Sequence, residues 1–159
     1  MFSFCTALTV PPELPATTLA GACYMYMFNE CSSLAEAPEL PATTMENACY
    51  SRMFRNCTSL VEPPDLPATT LAAGCYGCMF EGCTSLTSID LSTVTSIPVD
   101  YDALQYICYG CSALTTVHLE NLQIANSMVE AFKNCTSLVR IDLHNVTTIM
   151  SSSGSEYGM

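Results

Sequence analysis

The chain alternates apolar and polar residues in short bursts that recur at a set distance. Leu86-Thr87-Ser88-Ile89-Asp90-Leu91 and Leu138-Val139-Arg140-Ile141-Asp142-Leu143 interleave apolar positions with polar ones, the pattern of a half-buried strand. An eight-residue motif stands ahead of each. Met1-Phe2-Ser3-Phe4-Cys5-Thr6-Ala7-Leu8 returns as Met27-Phe28-Asn29-Glu30-Cys31-Ser32-Ser33-Leu34. It returns again as Met53-Phe54-Arg55-Asn56-Cys57-Thr58-Ser59-Leu60 and as Met79-Phe80-Glu81-Gly82-Cys83-Thr84-Ser85-Leu86. Looser copies follow at 107–114 and 131–138. The motif cysteines Cys5, Cys31, Cys57, Cys83, Cys111 and Cys135 therefore lie 26, 26, 26, 28 and 24 residues apart. Self-similarity at such a period is the signature of a repeat architecture.

Each period divides into parts. In the first three copies the strand stretch becomes proline-rich, as in Leu60-Val61-Glu62-Pro63-Pro64-Asp65-Leu66. Proline lacks the N–H that a sheet ladder needs, so these copies are expected to be irregular or bulged. Pro-Ala-Thr-Thr then turns the chain at 15–18, 41–44 and 67–70. A return limb, Ala22-Cys23-Tyr24-Met25-Tyr26-Met27-Phe28 and its equivalents, has room for about one or two helical turns. One strand and one limb per period make a solenoid coil, unstable alone and buried against its neighbours.

The stretch Ala131-Phe132-Lys133-Asn134-Cys135-Thr136-Ser137-Leu138-Val139-Arg140-Ile141-Asp142-Leu143-His144-Asn145-Val146-Thr147-Thr148-Ile149 resembles the BspA-like branch of the leucine-rich-repeat proteins, also known as a treponemal repeat type. Residues 80–97 resemble it nearly as closely. The expected fold is an α/β repeat: a right-handed leucine-rich-repeat solenoid of about six coils, with one parallel sheet face and short return limbs. The array is expected to occupy residues 1–150, with 151–159 a disordered or truncated tail. Members of this family are largely bacterial surface proteins linked to adhesion. The resemblance thus implies an extracellular or cell-surface location and a protein or glycan ligand on a host or neighbouring cell.

Composition narrows the partners. Half the residues are hydrophobic and 12% are charged, which argues against disorder. Fifteen acids against four bases give a net charge of −11, a field that repels nucleic acid and anionic lipid. The longest apolar run, residues 19–28, is well short of the ~20 residues of a membrane-spanning helix, so no membrane insertion is expected. No basic start or long apolar stretch of a secretory signal is visible at the first residues.

The eleven cysteines are periodic rather than framework-like. Cys75-Tyr76-Gly77-Cys78 and Cys108-Tyr109-Gly110-Cys111 imitate a zinc ribbon, but their four cysteines fall at four different phases of the repeat. They read as stacked buried thiols, and no metal or cofactor is expected. Side chains in such a ladder point the same way, which disfavours disulfides between coils. Leu14-Pro15-Ala16-Thr17-Thr18 imitates a sortase signal but is an internal repeat turn. The glycosylation sequons at Asn56, Asn134 and Asn145 arise from the repeat, two of them around a motif cysteine. Only His118 and His144 could serve as an imidazole base, and neither has an obvious nucleophile, so the chain is not expected to be an enzyme.

The strand face remains. Counted from each coil's leucine, His118 shares the phase of Asp90 and Asp142 and should lie between them on adjacent strands. Glu13, Glu36, Glu39, Glu62 and Asp65 fall on or beside the same face, making a carboxylate-rich ridge for a basic protein patch, a glycan or calcium. A competing reading is a structural spacer or a segment of a phage or surface fibre, and a third is a metal-binding protein using the CxxC pairs. The chain reads as a slice of a longer array whose uncapped coils could associate end to end.

Overall fold

The computed structural model describes residues 1–97, 102–122 and 128–146. The end of the array at 147–150 and the tail at 151–159 lie outside the described residues. The chain winds into stacked coils around one apolar core. The coil leucines Leu34, Leu60, Leu86 and Leu114 are fully buried in it.

Three short strands form one parallel sheet in the order β1-β2-β3: β1 Ser88–Asp90, β2 Thr116–His118 and β3 Arg140–Asp142. Their register pairs Ile89 with Val117 and Val117 with Ile141 on the inner side, and Asp90 with His118 and His118 with Asp142 on the outer side. The register survives the longer 28-residue interval because the two extra residues enter away from the strands. The Leu71 N–H still donates 25 residues on, to the Ser96 carbonyl, and the offset has grown by two to 27 by the time the Tyr76 N–H reaches the Ala103 carbonyl.

The proline-rich coils behave differently. Among the described residues, no backbone hydrogen bond joins residues 9–19 to 35–45, or 35–45 to 61–71. Pairing with the next coil flanks the third proline stretch: the Thr87 N–H donates to the Val61 carbonyl at 3.2 Å before its prolines, and the Leu71 N–H donates to the Ser96 carbonyl at 3.1 Å after them. The cause is the missing proline donors.

The return limbs depart from expectation, for among the described residues no helix forms at all. Each limb is a chain of overlapping β-turns. In the second coil the N–H groups of Cys49, Ser51, Met53, Arg55 and Cys57 donate three residues back, to Glu46, Ala48, Tyr50, Arg52 and Phe54. The N–H groups of Ala48, Tyr50, Arg52, Phe54 and Asn56 instead donate across to Ala73, Cys75, Gly77, Met79 and Glu81 of the next coil. From Ala48 to Cys57 every donor is thus used, odd residues within the coil and even residues between coils, as buried backbone requires. A short isolated helix would be marginal in water and would point all its N–H groups along its own axis, leaving none for the neighbour.

This arrangement needs a left-handed residue at the third position of alternate turns, as type II turns do. Ala22, Tyr26 and Glu30 have φ of 55°, 59° and 64°, and Ala48, Arg52 and Asn56 repeat them at 54°, 54° and 58°. For side chains of this kind such a conformation costs about 1–2 kcal/mol each. The inter-coil hydrogen bonds, 2.8–3.0 Å long between the first two limbs, offset that cost.

Side chains stack in the same phase. Phe2, Phe28, Phe54 and Phe80 form a column with centroids 5.8, 5.6 and 5.7 Å apart and nearly parallel rings. Tyr24, Tyr50 and Tyr76 form a second, at 5.8 and 6.2 Å. Large apolar side chains are left open in the first coil (Met1, Phe4, Val10) and in the last described one (Val139, Ile141, Leu143).

Candidate functional site

The motif cysteines are part of the scaffold. The thiols of Cys31, Cys57, Cys83, Cys111 and Cys135 donate to the carbonyls of Phe2, Phe28, Phe54, Phe80 and Cys108 in the preceding coil, at 3.0–3.1 Å. Burial pushes the Cys57 thiol up to about 12 and the Cys135 thiol to about 11, which keeps them protonated donors. Cys5, in the first described coil, is exposed, as is Cys23. All eleven cysteines are free. Cys75, Cys78, Cys108 and Cys111 are buried, and among the described residues they form no metal-competent group.

On the strand face, pairing in register sets His118 between Asp90 and Asp142. The inner partners Ile89 and Val117 are fully buried, so the period-two alternation turns the three polar side chains outward. The two aspartates are used differently. Asp142 Oδ2 lies 3.2 Å from His118 Nδ1, while Arg140 Nε holds its other oxygen at 2.8 Å. Asp90 instead accepts the Ser92 N–H at 2.8 Å. Burial raises the Asp90 carboxyl, but the Ser92 hydrogen bonds and the nearby His118 outweigh it, leaving Asp90 below its ordinary range.

A residue that sequence reading passed over completes the cluster. Glu120 Oε1 stands 3.2 Å from the same Nδ1. Its place is fixed by its neighbours: Leu119 and Leu122 are buried, and the Leu119 N–H donates to the Asp142 carbonyl at 2.9 Å. The signal was present in the two-residue spacing from His118, since i and i+2 share a side wherever the chain stays extended. The other ridge residues do not join this cluster. Glu36, Glu39, Glu62 and Asp65 are exposed on the proline-rich stretches. There Glu39 and Glu13 line a groove of about 370 Å³ with Pro11, Pro12, Pro15, Pro38 and Pro41, and Glu62 accepts from the Thr87 hydroxyl at 3.3 Å.

A second surface, on the return limbs, was not foreseen. A groove of about 620 Å³ is lined by Tyr26, Arg52, Cys78, Tyr106 and Glu130, which share one phase, and by Arg55, Glu81 and Tyr109, three residues further on. The Arg52 guanidinium sits 5.4 Å from the Tyr26 ring centroid, and Tyr106 meets Tyr109 edge-on at 5.7 Å. Arg55 pairs with Glu81 at 3.0 Å and more loosely with Glu30 at 3.9 Å. Two of the four basic residues in this acidic chain therefore converge on one groove.

Coils of one period, a leucine at a fixed place in each and a parallel sheet on one side define a leucine-rich-repeat solenoid. The model of the BspA type leucine rich repeat region matches six copies, over residues 13–101 and 76–154, and the chain belongs to that family. Among solved structures, it is similar to a leucine rich cell surface protein from Faecalibacterium prausnitzii A2-165, at 25% identity and a TM-score of 0.53, over 83% of this chain and 29% of that one. It also aligns with the leucine rich repeat protein of Treponema pallidum, at 21% identity and a TM-score of 0.48, over 79% of this chain and 52% of that one. No curated protein matches it.

Proposed function

We propose that this chain is a non-enzymatic binding module of a bacterial surface or secreted protein, recognising a protein or glycan through the strand face of its solenoid. The reading rests on the row Asp90, His118, Asp142: three polar side chains from successive strands, held in register by backbone pairing and turned outward from a filled core. Such a row is rigid, so binding orders few side chains and loses little entropy. The groups in ion-pair reach of the imidazole are carboxylates, which suit recognition rather than nucleophilic chemistry. The cell-surface description of the Faecalibacterium protein supports the location.

A second reading has its own observation. The return-limb groove combines tyrosine faces, arginines and carboxylates, the mixture that lets a pocket stack against a sugar ring and hydrogen-bond its hydroxyls. One experiment separates the two. The chain is screened against a glycan array and a panel of purified extracellular host proteins, beside an Asp90→Asn/His118→Ala/Asp142→Asn variant and an Arg52→Ala/Tyr106→Ala/Tyr109→Ala variant. Loss of at least about tenfold in affinity in the first variant alone is expected. Loss in the second alone would move the site to the groove. Absence of any ligand would favour the spacer reading.

A further inference from the structure

We infer that His118, Glu120 and Asp142 form a zinc site on the strand face. Their ligand atoms, the His118 ring nitrogen and one oxygen from each carboxylate, all lie within 4.8 Å of one another. Both carboxylate oxygens stand 3.2 Å from the same nitrogen, His118 Nδ1. A tetrahedral zinc ion with bonds of about 2.0–2.1 Å separates its ligand atoms by about 3.3 Å, a spacing that both nitrogen–oxygen pairs already have, and the two oxygens, within 4.8 Å of each other, can reach it by side-chain rotation.

Three further observations support a built site. Its backbone is pinned on both sides, by the Leu91 N–H to the His118 carbonyl and the Leu119 N–H to the Asp142 carbonyl, each at 2.9 Å. Arg140 Nε holds Asp142 Oδ1 at 2.8 Å, which orients the carboxylate and leaves Oδ2 facing the imidazole, the supporting contact that metal-bound carboxylates carry. The three side chains are half-buried, so an ion there sheds part of its water while one position stays open to solvent. An imidazole nitrogen with two carboxylates selects zinc over calcium, which takes six to eight oxygens. One zinc with two carboxylates and a neutral imidazole leaves the cluster uncharged, where the metal-free side chains carry a net negative charge.

The site shares the face proposed above for ligand binding but does not depend on it, and its test contains no protein or glycan ligand. The full chain carrying Cys5→Ser and Cys23→Ser, which removes the two exposed thiols, is titrated with zinc chloride by calorimetry. One ion per chain is expected. His118→Gln should weaken binding about a hundredfold and Glu120→Gln about tenfold, with unchanged far-ultraviolet circular dichroism because the altered side chains point to solvent. Cobalt should give weak visible bands without the near-ultraviolet charge transfer of a sulfur ligand. No zinc uptake, uptake indifferent to His118→Gln, a sulfur charge-transfer band, or calcium competing on equal terms would each overturn the assignment.

Discussion

The first three coils and the last three are joined by the same return limb but differ on the opposite side. In residues 1–71 the proline-rich stretches make no backbone bonds to one another, so the backbone seam between adjacent coils is the limb ladder, supported by stacked rings, thiol–carbonyl hydrogen bonds and the apolar core. From Ser88 onward a parallel sheet adds a second seam. The strand, which gives the repeat its recognisable pattern, is therefore dispensable for stacking, whereas the turn ladder is present in both halves. The reason is donor supply. Prolines remove N–H groups from the strand side, while on the limb side alternate residues keep an N–H directed at the next coil.

Thiol reactivity should show the largest contrast. Native protein treated with a disulfide reagent should label Cys5 and Cys23 at once, and the nine buried cysteines orders of magnitude more slowly. Within the slow set, Cys31 and Cys49 of the single-seam half should react before Cys83 and Cys111, because local opening there breaks fewer bonds. Mass spectrometry of the labelled sites reads the order, and the reverse order would break the comparison.

Core truncation tests the same point in free energy. Phe54→Ala removes the middle of the ring column and should cost about 3–5 kcal/mol. Val117→Ala, in the centre of the sheet, should cost about 1–2 kcal/mol. Urea unfolding gives both values, and a larger loss for Val117→Ala would make the sheet the principal seam.

Backbone strain in the ladder can be raised or relieved. Gly82 has a φ of 73°, and a Cβ there would run into the Asn56 side chain, so Gly82→Ala should destabilise by about 1–2 kcal/mol. Ala48, at φ 54°, is the opposite case. Ala48→Gly should raise stability by about 0.5 kcal/mol, the relief exceeding the entropy that glycine adds to the unfolded chain. Thermal melts of the two variants should move in opposite directions.

A subtler change lies between the columns. Among the described residues the Tyr50 and Tyr76 hydroxyls are buried without a partner, and burial pushes both phenols above their ordinary range. Tyr76→Phe keeps the ring and removes the unsatisfied group, so stability should rise by about 1 kcal/mol in the same urea assay.

The smallest effect belongs to the two-seam half. The folded-state value of Asp90 lies below its ordinary one, so its ionised form favours folding. That contribution is complete above the ordinary carboxylate range and is lost as pH falls through the lower folded value. Asp90 is exposed, which limits the effect to about a few tenths of a kcal/mol. Asp90→Asn should flatten the difference in urea midpoint between pH 5 and pH 3 by that amount.

Much of this architecture was legible in the residues. The eight-residue motif marks the coil, and counting four residues from Leu86, Leu114 and Leu138 lands on Asp90, His118 and Asp142, the row that the sheet pairs. The proline-rich stretches were readable as irregular, because a missing N–H is a property of the residue and not of its surroundings. The cysteine phases likewise pointed to stacked ladders, which are buried from Cys31 onward and exposed at Cys5 and Cys23.

What the linear pattern left open depends on neighbours 24 to 28 residues away. A limb such as residues 46–57 contains nothing that demands left-handed residues at Ala48, Arg52 and Asn56, and taken alone it suits a short helix as well as a turn chain. Only the next coil, offering carbonyls at Ala73 through Glu81, makes the alternating donors worth the backbone strain. The same holds for function. Glu120 joins the His118–Asp142 pair because the chain bends around two buried leucines, and Tyr26, Arg52, Tyr106 and Tyr109 share a groove because stacking brings five coils together. Sequence determined the period, the register and the apolar interior, since those follow from each residue's own chemistry at a repeated position. The tertiary structure decided the conformation of the limbs and which polar groups meet, since both are set by hydrogen bonds and contacts that exist only once coils are stacked.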